Sequence, residues 1–418
     1  MKKTPLAFAL ALALTTVGAA QAQSSVTLYG IADAGIHYTT GQNGANTRLA
    51  SGIMEGSRFG FRGNEDLGGG WRTIFTLENR HELDTGAVSN RPPSGIQLPD
   101  RFYTAAGLGL PAPLAVLEAN GTLRAIADNV ATQTVGVNLP GRLFDRQAFV
   151  GLVTPFGAFL GGRQYTPAFE IVATFETMKN ESSLAFGQVN GFPPPVDIRI
   201  ENAASYRFLL GPWSGSLMYG LGEGSVATGR LIGTHVAYKS PAFSAGVAYQ
   251  TRENERGEKS LTTFVVAGEA PIGPGKLSAL YGKIDDDHPA GLSSLQTSLT
   301  PQVGPLIAQL IADGYRSALT QDADMYHVGY RIVSGPHTVS VAYNRYDDKQ
   351  RRNLDVQSYG TVYSYALSKR TDLSAVLTRF DNNRNAQSAP GQQGFLGGVT
   401  SEAGQDALNV ALGIRHRF

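Results

Sequence analysis

Asn409-Val410-Ala411-Leu412-Gly413-Ile414-Arg415-His416-Arg417-Phe418 closes the chain. Val410, Leu412, Ile414 and Phe418 share one parity while Arg415 and Arg417 take the other, the period-two pattern of a strand with one apolar and one charged face. The same alternation recurs upstream. Val339, Val341 and Tyr343 oppose Ser340, Ala342 and Asn344; Tyr206 and Phe208 oppose Ser205 and Arg207; Tyr326, Val328 and Tyr330 oppose His327, Gly329 and Arg331. In a soluble sandwich the apolar face is the core, so alternation alone leaves a sandwich and a membrane barrel open. Length and ends decide between them. The segments run near the ~9–11 residues that cross a bilayer at a tilt, and Tyr and Phe recur at their ends, as an interfacial girdle requires.

The connections carry a second asymmetry. Short turns rich in Gly, Pro or acidic residues are expected at Asn64–Gly69, Thr154–Gly157, Leu210–Trp213, Ser240–Phe243, Pro271–Gly275, Ser334–His337 and Ser368–Asp372. Longer polar stretches fall between them, near 39–54, 81–143, 165–200, 223–229, 252–259, 284–323, 347–354 and 382–406. Tight turns at one end and long loops at the other predict an all-β transmembrane antiparallel β-barrel of about 16 strands, as a single domain over residues 23–418.

The beginning of the chain sets the compartment. Lys2 and Lys3 precede an apolar run from Leu6 to Val17, followed by Ala20-Gln21-Ala22, a small-x-small cleavage pattern. The run is shorter than the ~20 apolar residues of a membrane-spanning helix, so residues 1–22 read as a signal peptide rather than an anchor. Nothing later is long and apolar enough to be such a helix. Removing the two lysines leaves 33 basic against 34 acidic residues of the original 35 and 34. A near-neutral chain has no global field to pull it onto nucleic acid. The absence of cysteine removes disulfides, thiolate nucleophiles and thiolate metal sites, and no cofactor motif is present.

A family resemblance rests on ordered motifs from end to end. Ser24-Ser25-Val26-Thr27-Leu28-Tyr29-Gly30 with Asp33-Ala34-Gly35 resembles the mature start of the trimeric general-diffusion porins of Gram-negative outer membranes, betaproteobacterial type. Gly56-Ser57-Arg58-Phe59-Gly60-Phe61-Arg62-Gly63 before Glu65-Asp66-Leu67-Gly68-Gly69-Gly70, Arg146–Leu152, Gly162–Ala168 and Tyr365–Leu373 follow the same pattern in the same order. The strand ending at Phe418 resembles the signal read by the outer-membrane assembly machinery. The resemblance implies a homotrimer in contact with outer-membrane lipid and lipopolysaccharide, passing ions and small hydrophilic solutes. Two stretches depart from it. Residues 81–143 are far longer than the short second loop of the family, leaving an extra hairpin, a cap or a plain external loop open; residues 284–323 are also long, and Leu295–Tyr315 could hold a short amphipathic helix broken near Pro301 and Pro305.

A barrel of this size leaves a lumen that wall side chains alone cannot fill. By resemblance the third loop, Gln164 to Ile200, folds inward and narrows it, carrying Glu170, Glu176, Glu181 and Asp197. On the wall, Arg58 and Arg62 oppose Phe59 and Phe61, Arg72 and Glu78 oppose Trp71, Phe75 and Leu77, and Arg146 opposes Phe149, while Arg80 and Arg207 also take the inward parity. Arg163 resembles a family lumen residue, although alternation from Phe159 turns it outward unless Gly161-Gly162 makes a bulge. Any one of these arginines could simply support the wall by satisfying a carboxylate. Their gathering on one side predicts a transverse field and, since they outnumber the acids, a mild anion preference.

Rival functions are weaker. The seven histidines are scattered, and the best local group, His81 with Glu82 and Asp84, reads more simply as a solvated loop; no nucleophile, base and orienting group come together, so no enzyme is expected. Asp285-Asp286-Asp287-His288 reads as a loop tip rather than an ion site. A substrate-tuned channel, or an adhesin built on the long second loop, remain as alternatives.

Overall fold

A computed structural model describes residues 24–42, 46–88, 98–134, 142–179, 182–189, 193–222, 229–391 and 398–418. The expected signal peptide lies outside the described residues. Sixteen antiparallel strands close on themselves: β1 Ser25–Thr39, β2 in two pieces (Thr47–Ser51 and Arg58–Gly68), β3 Trp71–Arg80, β4 Gln147–Thr154, β5 Gly157–Tyr165, β6 Arg199–Leu210, β7 Trp213–Gly220, β8 Leu231–Lys239, β9 Ser244–Glu253, β10 Lys259–Ile272, β11 Gly275–Asp286, β12 Gln321–Ser334, β13 His337–Asp348, β14 Val356–Ala366, β15 Thr371–Asn382 and β16 Ala407–Arg417. Each strand pairs with its sequence neighbours, and β16 pairs with β1 from Ile31↔Arg417 to Thr39↔Asn409. Gly30 and Phe418 exchange backbone hydrogen bonds of 3.0 and 3.1 Å at the end of that seam. Closure leaves no sheet edge, the condition for a strand to cross hydrocarbon. No helix among the described residues is long and apolar enough to cross a membrane.

The burial pattern is that of a barrel in lipid. Leu28, Val150, Leu217, Val341, Leu412 and Ile414 are exposed on the outside, whereas Ser205, Asn344, Ser358 and Asn409 on the opposite parity are buried inside. Turns and loops fall where the alternation places them, with two differences: Thr47–Ser51, expected within the first long loop, is strand paired with β1, and β2 continues to Gly68, because Glu65 and Asp66 still pair with Thr73 and Arg72 before the chain reverses at positive φ through Gly69 and Gly70.

The two halves of β2 are separated by residues 52–57. The Asp33 carboxylate of β1 holds this excursion by accepting from the backbone N–H groups of Ile53, Met54 and Glu55 at 2.9, 3.0 and 2.8 Å. Three N–H groups that a broken strand leaves without ladder partners are thereby satisfied.

Among the described residues five α-helices lie in the long loops: α1 Val116–Ala119 and α2 Thr122–Thr134 in the second, α3 Pro167–Phe175 in the third, α4 Leu295–Val303 and α5 Pro305–Leu319 in the sixth. The second loop forms no extra hairpin among its described residues. In the sixth, the single broken helix expected from sequence is two helices. Pro301 sits inside α4, and the break falls at Gly304, whose φ of 79° leads into Pro305 at the first turn of α5.

Candidate functional site

The third loop starts as a helix for local reasons. Thr166 caps α3 by accepting from Phe169 N–H, and Pro167 occupies the first turn, where its missing donor costs nothing. Ala168, Phe169, Ile171, Val172 and Phe175 are buried, in one apolar cluster with Ala248 of β9, Leu261, Val265 and Ala267 of β10, and Leu280 and Ile284 of β11. The loop therefore lies inside the barrel, against the β8–β11 wall. Close approach demands glycine there: a Cβ on Gly246 of β9 would stand 2.6 Å from Phe175 and 2.7 Å from Ile171, and one on Gly329 of β12 would stand 2.3 Å from Thr177 Oγ1. Farther on, Thr177 N–H donates to His327 Nε2 at 3.2 Å, Asn344 donates to the Leu184 carbonyl at 2.9 Å, and Ser183 bonds Thr378 and Asn409 at 2.8 and 2.9 Å. The loop thus follows the inner wall from β8 round to β16.

Beside this seat an open cavity of about 470 Å³ remains, bordered by Arg58, Arg146 and Arg207 of the wall, by Glu170 and Lys179 of the loop, and by Glu55, Tyr165 and His235. Four cations face two carboxylates around it. Arg207 donates to Glu170, whose other oxygen lies 3.3 Å from His235 Nδ1. Burial pushes the Glu170 carboxyl above its ordinary range, and Arg207 offsets only part of that. Arg58 donates from Nε to the Gly56 carbonyl at 2.9 Å and lies 3.4 Å from Glu55. Arg146, almost wholly buried, donates to Glu78 at 2.7 Å and to Tyr165 Oη at 3.0 Å, and Arg199 reaches the same Tyr165 oxygen at 3.3 Å.

The remaining sequence candidates are placed as follows. Glu78 is buried behind the cavity, accepting from Arg146 and, at 2.9 Å, from Tyr29 Oη. Arg62 is exposed and stacks 3.8 Å over the Tyr29 ring. Arg72 is exposed two residues past Gly70, near the short-turn end. Arg80 is buried beside Asp145, whose carboxylate accepts from the Arg80 backbone N–H at 3.0 Å. Arg163 sits at the β5–β6 register shift, where β6 inserts an extra residue with Asn202 at φ 51°; its Nε donates to the Asp145 carbonyl at 2.6 Å and its guanidinium lies 3.7 Å from Glu201. It lies at the foot of the second loop, in register with Ala148 of β4, and does not border the cavity. Glu176 is a second correction. It is fully buried between loop and wall, accepts from Met178 N–H at 2.9 Å and lies 4.0 Å from His327, so it does not oppose the arginine wall. Glu181 lies outside the described residues.

Sequence reading missed a second cluster beside Arg58. Arg415 and Arg417 of β16 donate to Glu55 at 2.9 and 2.8 Å and to Asp372 of β15 at 3.2 and 3.1 Å. The inward parity of both arginines was visible. Glu55 was not, because it projects from the excursion that interrupts β2.

The profile of a family described as Gram-negative porin matches residues 9–385. The chain belongs to the Gram-negative porins. This porin is 26% identical to outer membrane porin protein 32 of Delftia acidovorans over 439 residues, covering all of both chains. Its fold matches the anion-selective porin from Comamonas acidovorans with a TM-score of 0.66 at 23% identity, over 95% of this chain and 100% of that one. It also matches the trimer form of OmpT from Vibrio cholerae, with a TM-score of 0.59 at 13% identity, over 94% and 99%. The porin is a multi-pass channel of the outer membrane and not an enzyme.

Proposed function

We propose that this porin passes ions and small hydrophilic solutes by passive diffusion, that the third loop narrows its path, and that the path has a mild anion preference. The observation that carries the preference is the cavity border, where four cations face two carboxylates. In a passage with low-dielectric walls the local charge balance, not the near-neutral total, sets the field that an ion meets. A polar solute crosses by exchanging hydration for weak, repeated contacts with such rows, without turnover. The anion selectivity named for the Comamonas porin supports the same sign. Single-channel recording in planar bilayers tests the reading. Stepwise conductance with a zero-current potential of anion sign in a salt gradient is expected, weakening as salt rises; a cation-signed potential refutes the preference, and no conductance refutes the channel.

The working assembly we infer is a homotrimer meeting along the outer faces of the first and last strands, supported by the family resemblance and the trimer form of OmpT. Gly30 and Ala32 on the outward parity of β1 make that surface small-featured. Mild-detergent crosslinking with unheated electrophoresis should show three subunits, and a monomer alone refutes it. Phe418, paired at the β1–β16 seam, is the proposed recognition point for the assembly machinery.

A further inference from the structure

Two loops that leave the rim on opposite sides meet above the mouth. The second loop leaves between β3 and β4 and the sixth between β11 and β12, so half of the sixteen strands separate them whichever way round one counts. Sixteen strands spaced ~4.8 Å and tilted ~40° enclose a barrel about 30 Å across. At ~1.5 Å per residue α2 is about 20 Å long and α5 about 22 Å, so neither helix crosses the mouth alone. They share one apolar core: Phe102, Leu108 and Leu123 from the second loop pack with Ile311, Tyr315 and Leu319 from the sixth, all buried. Tyr315 Oη donates to the carbonyls of Phe102 and Leu123, each at 2.9 Å. At Gly314 the helix comes so near the second loop that a Cβ would lie 2.6 Å from the Leu108 carbonyl oxygen.

The joined loops are also pinned to the rim. Glu255 of the fifth loop accepts from the N–H groups of Gly291 and Ser293 at 2.9 and 2.5 Å. Arg352 of the seventh donates to the Ser317 carbonyl at 2.6 Å, and Asp100 N–H donates to Gln387 of the eighth at 2.6 Å. These pins hold the roof toward the β9–β16 side, above the wall on which the third loop is seated. Residues 98–134 carry three acids and two arginines, and residues 287–320 two acids and one arginine, so the roof has little net charge.

We propose that this roof is a fixed outer sieve, limiting the size of solutes that reach the arginine wall, separately from the third loop. The proposal rests on the channel reading above. Near-neutrality makes the selection one of size rather than sign, and the shared core makes the cover rigid rather than a mobile flap. Two variants test it in the whole protein. Gly314→Leu drives α5 off the Leu108 backbone without touching a barrel strand; in the second variant residues 84–143 and 288–319 are replaced by short Gly-Ser turns. Liposome swelling is measured with a pentose and a trisaccharide, beside KCl conductance in bilayers and, for Gly314→Leu, trypsin cleavage at Arg101. Opening the roof should raise the trisaccharide-to-pentose rate ratio severalfold in both variants, with little change in conductance, and in Gly314→Leu it should expose Arg101 to trypsin. New trypsin cleavage in Gly314→Leu with an unchanged ratio overturns the sieve, as does an unchanged ratio in the replaced-loop protein. If the replacement does not assemble, Gly314→Leu alone decides. Wild-type protein without stepwise conductance refutes the channel reading instead.

Discussion

Arg58 and Arg207 both border the cavity, so replacing both with glutamine removes two positive charges from its edge while keeping a polar side chain at each position. A sphere of the cavity's volume has a radius of about 5 Å, and a unit charge at that distance acts on an ion at the centre with about 0.8 kcal/mol in water-like dielectric. At 0.1 M salt, where the screening length is ~10 Å, each arginine retains about 0.5 kcal/mol. Two arginines favour an anion by about 1 kcal/mol and disfavour a cation by the same, so the double variant should shift the anion-to-cation permeability ratio about thirtyfold. At 1 M salt the screening length falls to ~3 Å and the shift to about threefold. The assay is the zero-current potential in KCl gradients at low and high mean concentration. It should fall to near zero in the low-salt pair and move only slightly in the high-salt pair. An unchanged low-salt potential would falsify the placement of the ion path along this wall, and an equal shift at both concentrations would refute the electrostatic account.

Arg146 should behave differently, because Gln there leaves the Glu78 carboxylate buried without its guanidinium, at a cost of about 3–5 kcal/mol. Arg146→Gln should lower the temperature at which the folded gel band converts to the unfolded one, and adding Glu78→Gln should recover much of the loss. Glu170 has a raised pKa, so acidification through it removes a carboxylate from the cavity and strengthens anion selectivity; Glu170→Gln should hold the low-pH selectivity at all pH values, as read from zero-current potentials. Burial pushes Glu82 to about 8, with Asp84 adding to the rise and Arg80 opposing it. The folded chain then keeps a proton that the unfolded chain releases, so this stabilisation is full below the ordinary carboxyl range and lost as pH climbs through about 8. Melting temperatures from pH 5 to 9 should show that decline, and Glu82→Gln should flatten it. Gly246→Val places methyl groups where Phe175 and Ile171 lie, so α3 must lift from its seat and single-channel conductance should change; an unaltered conductance refutes the seating.

The barrel was legible because a membrane strand repeats one simple rule. Val410, Leu412 and Ile414 had to face lipid once Arg415 and Arg417 shared the other parity, and nothing tertiary could reverse that without exposing guanidinium to hydrocarbon. The site was less legible where alternation slips. Arg163, which alternation turns outward and only the family resemblance put in the lumen, stands off the cavity beside a residue inserted in β6, and Glu55 entered the cluster from an excursion that no period describes. Glu176 shows a different limit. A carboxylate on an inward loop was expected to face the arginines, but helix α3 presents its apolar side to β9 and β10, and the chain that follows carries Glu176 down against His327. The roof was least legible: Leu108, Leu123 and Ile311 revealed apolar loops, and only the strand order shows that the two leave opposite sides of the mouth.

One signal for the loop's seat was in the sequence. On β10, Leu261, Val265 and Ala267 face inward while Phe264 and Val266 face lipid, so this strand is apolar on both faces. An apolar strip inside an aqueous lumen has to be covered, and α3 covers it. This displaces the third loop to one side and leaves the arginines to the water. The seat is also strong. Burying Phe169, Ile171, Val172 and Phe175 stabilises it by about 1.5–3 kcal/mol each, as an upper bound. A potential of 100 mV does only ~2.3 kcal/mol of work on a unit charge moved across the whole membrane. Glu170, the one charge on α3, could move through only part of that distance. Physiological voltages therefore do not unseat α3, and any voltage-driven closure of this channel must arise elsewhere than at the third-loop helix.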